Sequence, residues 1–226
     1  MPKLEWDKVG ERTYETGVSK AVLYLLDAEK KYTKAYAWNG ITKIGENPTG
    51  ADANALYADN IKYLNLIAAE DFEGSIEAYT YPDEFAQCDG SASLTPGVSI
   101  GQQTRLMFGL CYRTEYGNDT NGNDYGYKLH MIYGCNVSPS SKDYETINDS
   151  PEAITFSWDL TTTPVSVNGF KPTATVTVDS TKVDAEKLKA LEDILYGRDA
   201  DTENNIEALS ARLPLPDEIK EILSGD

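Results

Sequence analysis

Alternation with a period of two dominates this chain. From Tyr127 to Val137, the residues Tyr127, Leu129, Met131, Tyr133, Cys135 and Val137 fall on one face, and Lys128, His130, Ile132, Gly134 and Asn136 on the other. That is the pattern of a half-buried strand, whose successive side chains point to opposite sides. Leu106, Phe108, Leu110 and Tyr112 alternate in the same way with Met107, Gly109, Cys111 and Arg113. The two runs flank a polar stretch with Asn121-Gly122 at its turn, so they are expected to pair as an antiparallel hairpin. Ile154, Phe156, Trp158 and Leu160 mark another strand, and Ala174, Val176 and Val178 a further one with threonines on its outer side. Val18 to Leu26 and Lys34 to Ile44 also read as strands, the second interrupted at Asn39-Gly40. Glu73 to Tyr81 reads as a strand ended by Pro82. Asn60 to Asp71 fits strand and helix equally.

One helix is legible. Asp184 is placed to cap a segment from Ala185 to Tyr196, with Val183 and Leu188 spaced for a hydrophobic staple. Leu188, Leu191, Ile194 and Leu195 form its apolar stripe, and Gly197 is expected to end it in the left-handed conformation. Many short strands and one capped helix predict a mainly β fold: an antiparallel β-sandwich or barrel with one flanking helix. Residues 1–197 are read as that domain, with the helix at about 185–196. Residues 198–226, polar and acidic before a short helical run from Asp217 to Leu223, are read as an acidic C-terminal extension or arm.

The chain holds 37 acidic and 20 basic residues, a net charge of −17. That weighs against a nucleic-acid reader, which needs a basic patch to displace phosphate counterions, and against docking on an anionic membrane. No apolar run is long enough to span a bilayer, and Met1 to Asp7 has no secretory h-region. The cysteines Cys88, Cys111 and Cys135 match no zinc or redox spacing and read as buried free thiols. His130 is the sole histidine, which excludes His-pair metal sites; no phosphate-cradling loop or nucleophile elbow occurs. The loop from Gly117 to Asp124 fails the calcium template, because counting from Asp119 puts Asp124 at position six and Met131 at position twelve. No catalytic, cofactor-binding or metal-ligating residues are expected.

A set of segments then stands out in order: Leu56-Tyr57-Ala58-Asp59-Asn60-Ile61-Lys62-Tyr63, Glu77-Ala78-Tyr79-Thr80-Tyr81-Pro82-Asp83-Glu84-Phe85, Gly101-Gln102-Gln103, and Gly109-Leu110-Cys111-Tyr112-Arg113-Thr114. Tyr125-Gly126-Tyr127-Lys128-Leu129-His130 follows, then Ile147 to Trp158 and Phe170-Lys171-Pro172-Thr173-Ala174. Across roughly Leu4 to Gly197 the chain resembles the major tail protein, or tail tube protein, of long-tailed, non-contractile bacteriophages and prophages of Gram-positive bacteria. The resemblance implies a virion tail protein, made and assembled in the bacterial host cytoplasm. Such proteins form hexameric rings that stack into a hollow tube around a tape-measure protein. The tube runs between the baseplate or distal tail proteins and the tail terminator, and DNA crosses its lumen without specific binding. The family brings no catalytic residues.

Three expectations follow about how this chain would do that work. The hairpin formed by Arg105 to Tyr116 and Asp124 to Val137, or else the early strands, pairs edgewise with neighbouring subunits. The polar segment from Gly45 to Ala58 is a loop that orders against the adjacent ring, with Glu46, Asn47, Pro48, Thr49, Asp52 and Asn54 as its contact residues. Acids facing the lumen repel phosphate and let DNA slide. The rival reading is a non-enzymatic carbohydrate-binding β-sandwich module, suggested by 15 tyrosines and 3 tryptophans. Against it, Tyr112, Tyr127, Tyr133 and Trp158 alternate in phase with aliphatic residues, as core side chains do.

Overall fold

The computed structural model describes residues 3–147, 149, 153–201 and 206–225. Residues 148 and 150–152 of the Ile147 to Trp158 stretch, and 202–205 and 226 of the C-terminal segment, lie outside them. The strands are β1 (Thr13–Leu26), β2 (Tyr32–Trp38), β3 (Ile41–Gly50), β4 (Ala53–Ala58), β5 (Ile61–Ile67), β6 (Glu70–Ala78), β7 (Ala92–Thr95), β8 (Val98–Ile100), β9 (Phe108–Asn118), β10 (Gly122–Val137), β11 (Phe156–Thr162) and β12 (Thr175–Asp179). The helices are α1 (Ala86–Asp89), α2 (Ala185–Tyr196) and α3 (Pro216–Ser224). All pairings are antiparallel. The main sheet runs β2-β1-β9-β10-β11-β6-β3, with β12 on a second flank of β10; β4-β5 and β7-β8 are separate hairpins.

The path folds over into an antiparallel β-sandwich because β10 serves two sheets. Over Lys128 to Ile132 it pairs with β12, and over Cys135 to Val137 with β11. Its register against β9 slips between Ile132 and Cys135, where Gly134 takes φ +60. A bulge of this kind bends a strand and shifts its side-chain phase by one. Leu129, Met131 and Tyr133 therefore face the helices, while Ile132, Cys135 and Val137 all face the sandwich interior. The unbroken alternation expected from Tyr127 to Val137 holds only as far as Tyr133; the bulge reverses it beyond.

Two cores result. The interior one is aromatic: Trp158 packs edge-on against Trp38 at 5.7 Å and Phe85 at 5.2 Å, and Phe85 against Phe108 at 5.5 Å. Strands β1, β2, β6, β9, β10 and β11 all contribute fully buried side chains to it. The outer one lies between the β1-β9-β10 face and the helices and holds Leu188, Leu191 and Leu195 with Leu213 and Ile219. Ile194 of the expected stripe is only half-buried. Tyr24 Oη donates to the Leu195 carbonyl at 2.6 Å, fixing the helix end to the sheet.

Asp184 caps α2 as expected, accepting from the Glu186 and Lys187 amides at 3.0 and 3.2 Å. Gly197 does not end the helix in the left-handed region: it has φ +81 but ψ 166. The reason is that the following segment returns to the body, so the Arg212 amide donates to the Ile194 carbonyl and the Arg198 amide to Leu209. The described part of the C-terminal segment packs against the body. Tyr133 Oη donates to the Pro214 carbonyl at 2.9 Å, Leu213 bridges Tyr32, and Lys187 Nζ donates to the Ser224 carbonyl. Leu213 and Ile219 supply the burial that holds α3 down.

A Cβ at Gly134 would stand 2.2 Å from the Thr163 carbonyl oxygen, on a backbone with positive φ. Gly134→Ala is expected to cost about 2–4 kcal/mol, read by urea unfolding. Gly101→Ala, where a Cβ meets nothing within 4 Å, is expected to stay within about 0.5 kcal/mol of wild type.

Candidate functional site

The segment from Gly45 to Ala58, expected as a loop, is strand. β3 pairs with β6 from Ile41–Ala78 out to Gly50–Glu70. The Ala51 amide donates to the Ala69 carbonyl and the Ala68 amide to the Asp52 carbonyl. From there β4 pairs with β5, Ala53 opposite Ile67 through Ala58 opposite Ile61. One two-stranded ribbon thus leaves the sandwich, bends at Gly50 and Ala51 (φ +78 and +55), and turns at Asp59-Asn60 (φ +50 and +63). Two consecutive positive φ values define a type I′ hairpin, which Asp and Asn tolerate. Beyond the bend the arm extends about 20 Å, at roughly 3.4 Å per residue.

The arm's chemistry is unusual for a surface. Every residue of β5 is exposed. Leu56, Tyr57, Ile61, Tyr63, Leu64, Leu66 and Ile67 are large and apolar, with Tyr57 71% and Ile67 70% accessible. Leu56 lies opposite Leu64, on the face that also carries Leu66; Tyr57, Tyr63 and Ile67 add apolar surface elsewhere on the ribbon. A lone two-stranded hairpin is marginal in water, and an apolar patch of this kind marks an interaction surface. Such an arm is stabilised by covering.

A polar cluster sits at the arm's root. Glu46 of β3 accepts from Tyr112 Oη at 2.5 Å, and the Tyr112 ring stacks on the His130 imidazole at 4.7 Å. His130 Nε2 lies 2.9 Å from Thr114 Oγ1 and 3.2 Å from Glu15, and its Nδ1 lies 3.7 Å from Glu46. Lys128 donates to Glu15 at 2.5 Å. Burial pushes the Glu15 carboxyl up, but hydrogen bonds from Lys128 and Thr114 outweigh it and hold the group below its ordinary 4.5. Burial first, and Glu46 second, push the Tyr112 phenol up, so it stays a donor. His130 thus joins side chains of β1, β3 and β9 to β10 where the arm begins.

Of the expected contact residues, Glu46, Asn47, Pro48 and Thr49 lie on β3, paired with Gly74, Glu73, Phe72 and Asp71; Asp52 is at the bend and Asn54 on β4 opposite Leu66. They belong to one structure, but as a strand of the ribbon. Pro48 is tolerated because β3 ends the sheet path, where a missing N–H breaks no ladder. The expectation that the Arg105 to Val137 hairpin offers free edges fails: β9 lies between β1 and β10, and β10 is flanked on both sides. Among the described residues the free edges of the main sheet belong to β2, β3 and β12, the first two being among the early strands named as the alternative. The apolar residues of β4 and β5 were missed; the Asp59-Asn60 pair between apolar runs was the signal that could have found them.

The hairpin tip at 119–121 is held by Asn118, whose Oδ1 accepts from the Thr120 and Asn121 amides. Among the described residues no group of three or more His, Cys, Asp or Glu could hold a metal ion. Burial pushes the Cys88 and Cys111 thiols up to about 12. Tyr112, Tyr133 and Trp158 are core side chains and offer no platform for a sugar. Among the described residues no helix is long and apolar enough to cross a membrane. No protein-family model matches the chain, and no curated protein matches it.

Tyr112→Phe is expected to cost about 1.5–3 kcal/mol, one hydrogen bond to a charged acceptor, seen as a lower urea midpoint. The folded-state value of Glu15 lies below its unfolded value. Its contribution is therefore complete above about pH 4.5 and is lost as pH falls through the folded-state value. Glu15→Gln is expected to flatten the acid limb of the stability–pH curve.

Proposed function

We propose that the protein is a self-assembling structural subunit of a non-contractile bacteriophage tail, forming hexameric rings that stack into the hollow tube through which DNA passes. The observation that carries this reading is the exposed apolar arm rooted in the sandwich, at the segment whose tip also bears the family resemblance, Leu56 to Tyr63. An arm and the different surface it meets make a head-to-tail contact, and contacts of that type either close as rings or propagate as open stacks. Both are needed for a tube.

In this reading the arm makes the contact between rings, and the sandwich body forms the wall. The net charge of −17 suits a conduit for DNA. Carboxylates within about 8 Å of the passing phosphates repel them at physiological salt and give no basic foothold. Tape-measure, distal tail and terminator proteins are the further partners of such a tube, and the finished protein resides in the virion tail.

Concentrated purified protein is expected to form hollow tubes or six-fold rings in negative-stain micrographs. Leu66→Asp with Ile67→Asp is expected to leave it monomeric in sedimentation while the melting temperature holds, since both side chains are more than half exposed. Wild-type protein that stays monomeric at every concentration, including with tail-initiation proteins present, would end this reading.

A further inference from the structure

The outer face of the sandwich carries a hollow of about 430 Å³ between β1, β2 and the C-terminal end of α2. Ala21, Val22, Ala35 and Ala37 line it from the strands, and Leu195 and Tyr196 from the helix. Its room comes from Ala35 and Ala37, which share the outer face with Val22 and Tyr24 and where larger side chains would fill the space. No residue of the chain's own arm lines it. The hollow lies along an open edge: β2 ends the sheet path, and beyond the Tyr32–Leu213 bridge no described strand pairs with its outer side. Unprotected edges of this kind accept an added strand.

Charge distinguishes this place from the rest of a strongly acidic molecule. Lys20 stands at the lip, with its ammonium 5.6 Å from the Tyr196 ring, and Lys34 is exposed on the other face of the same edge strand, opposite Leu25. The arm carries the opposite sign, with Asp52 and Asp59 against Lys62 alone. Apolar surface thus faces an apolar hollow, and acids face lysines.

We propose that the hollow and the free edge of β2 receive the β4–β5 arm of a second copy of this chain. The proposal rests on the assembly reading above and names the surface that assembly uses. The arm's leucine face enters the alanine floor, its backbone adds to β2, and Asp52 and Asp59 pair with Lys20 and Lys34. Because arm and hollow are separate surfaces of one chain, each copy that donates an arm still presents an empty hollow, and growth continues.

The test uses full-length protein and the concentration at which tubes or rings first sediment. Ala37→Trp fills the hollow at an exposed position and is expected to raise that concentration roughly tenfold with the melting temperature unchanged. Lys20→Glu with Lys34→Glu is expected to do the same, and adding Asp52→Lys with Asp59→Lys to that chain is expected to restore assembly. Should Ala37→Trp lower the melting temperature, the lysine and aspartate reversals decide alone. If the hollow and lysine variants assemble like wild type while a chain lacking Asp52 to Ala68 does not, the hollow is not the receptor and the assembly reading survives. If wild type itself never assembles, both fall.

Discussion

The reversal of β10 at Gly134 is the constraint from which the architecture follows. A strand of 16 residues cannot lie flat in one layer and also give its end to a second. The bulge lets the backbone turn between β12 and β11 while its hydrogen bonds pass from one partner to the other. The Gly134 amide itself donates to Tyr32 Oη at 2.8 Å, so the polar cost of the bulge is met inside the outer core. Both cores depend on this step, because it decides which of Met131, Ile132, Tyr133 and Cys135 looks inward.

The second constraint is that β3 and β6 are longer than the core they cover. Their inner halves bury Ile76 and Ala78. Phe72 is the last side chain of their outer halves to pack on that core, and Thr49, Glu70 and Asp71 beyond it are exposed. The Tyr112, Glu46 and His130 cluster lies at that boundary, where the interior changes from hydrocarbon to hydrogen bonds. Beyond it the ribbon is held by its ladder and by the Leu56–Leu64 pair, and its other large apolar side chains are exposed.

How much of this was legible in the sequence depended on whether a residue's surroundings were local. The α2 cap, its leucine stripe and the strands around Trp158 and Leu110 were readable, because capping and alternation are written in neighbouring residues. The bulge was not, since Gly134 sits where alternation would place an ordinary polar-face residue and only the crossing of the Thr163 backbone demands glycine there. The arm was misread for a related reason. Gly45 to Asn54 is rich in Gly, Pro, Asn and Asp, which signal loops when a segment must pack but are permitted in a strand that packs on nothing. The docking of the C-terminal segment was hidden too, because Leu213 and Ile219 are isolated apolar residues among acids, and their partners lie on β2, β10 and α2.

The continuity of β3 and β6 from core to arm has a mechanical consequence. The hydrogen bonds between β6 and β11 lie across the strand direction, so a pull along the ribbon loads them together in shear instead of unzipping them one by one. Tension applied at Asp59 would travel through the bend at Gly50 into strands anchored around Trp158, and the compliant point along that line is the pair of left-handed residues at the bend. The arm is thus built as a tether with a hinge near its base.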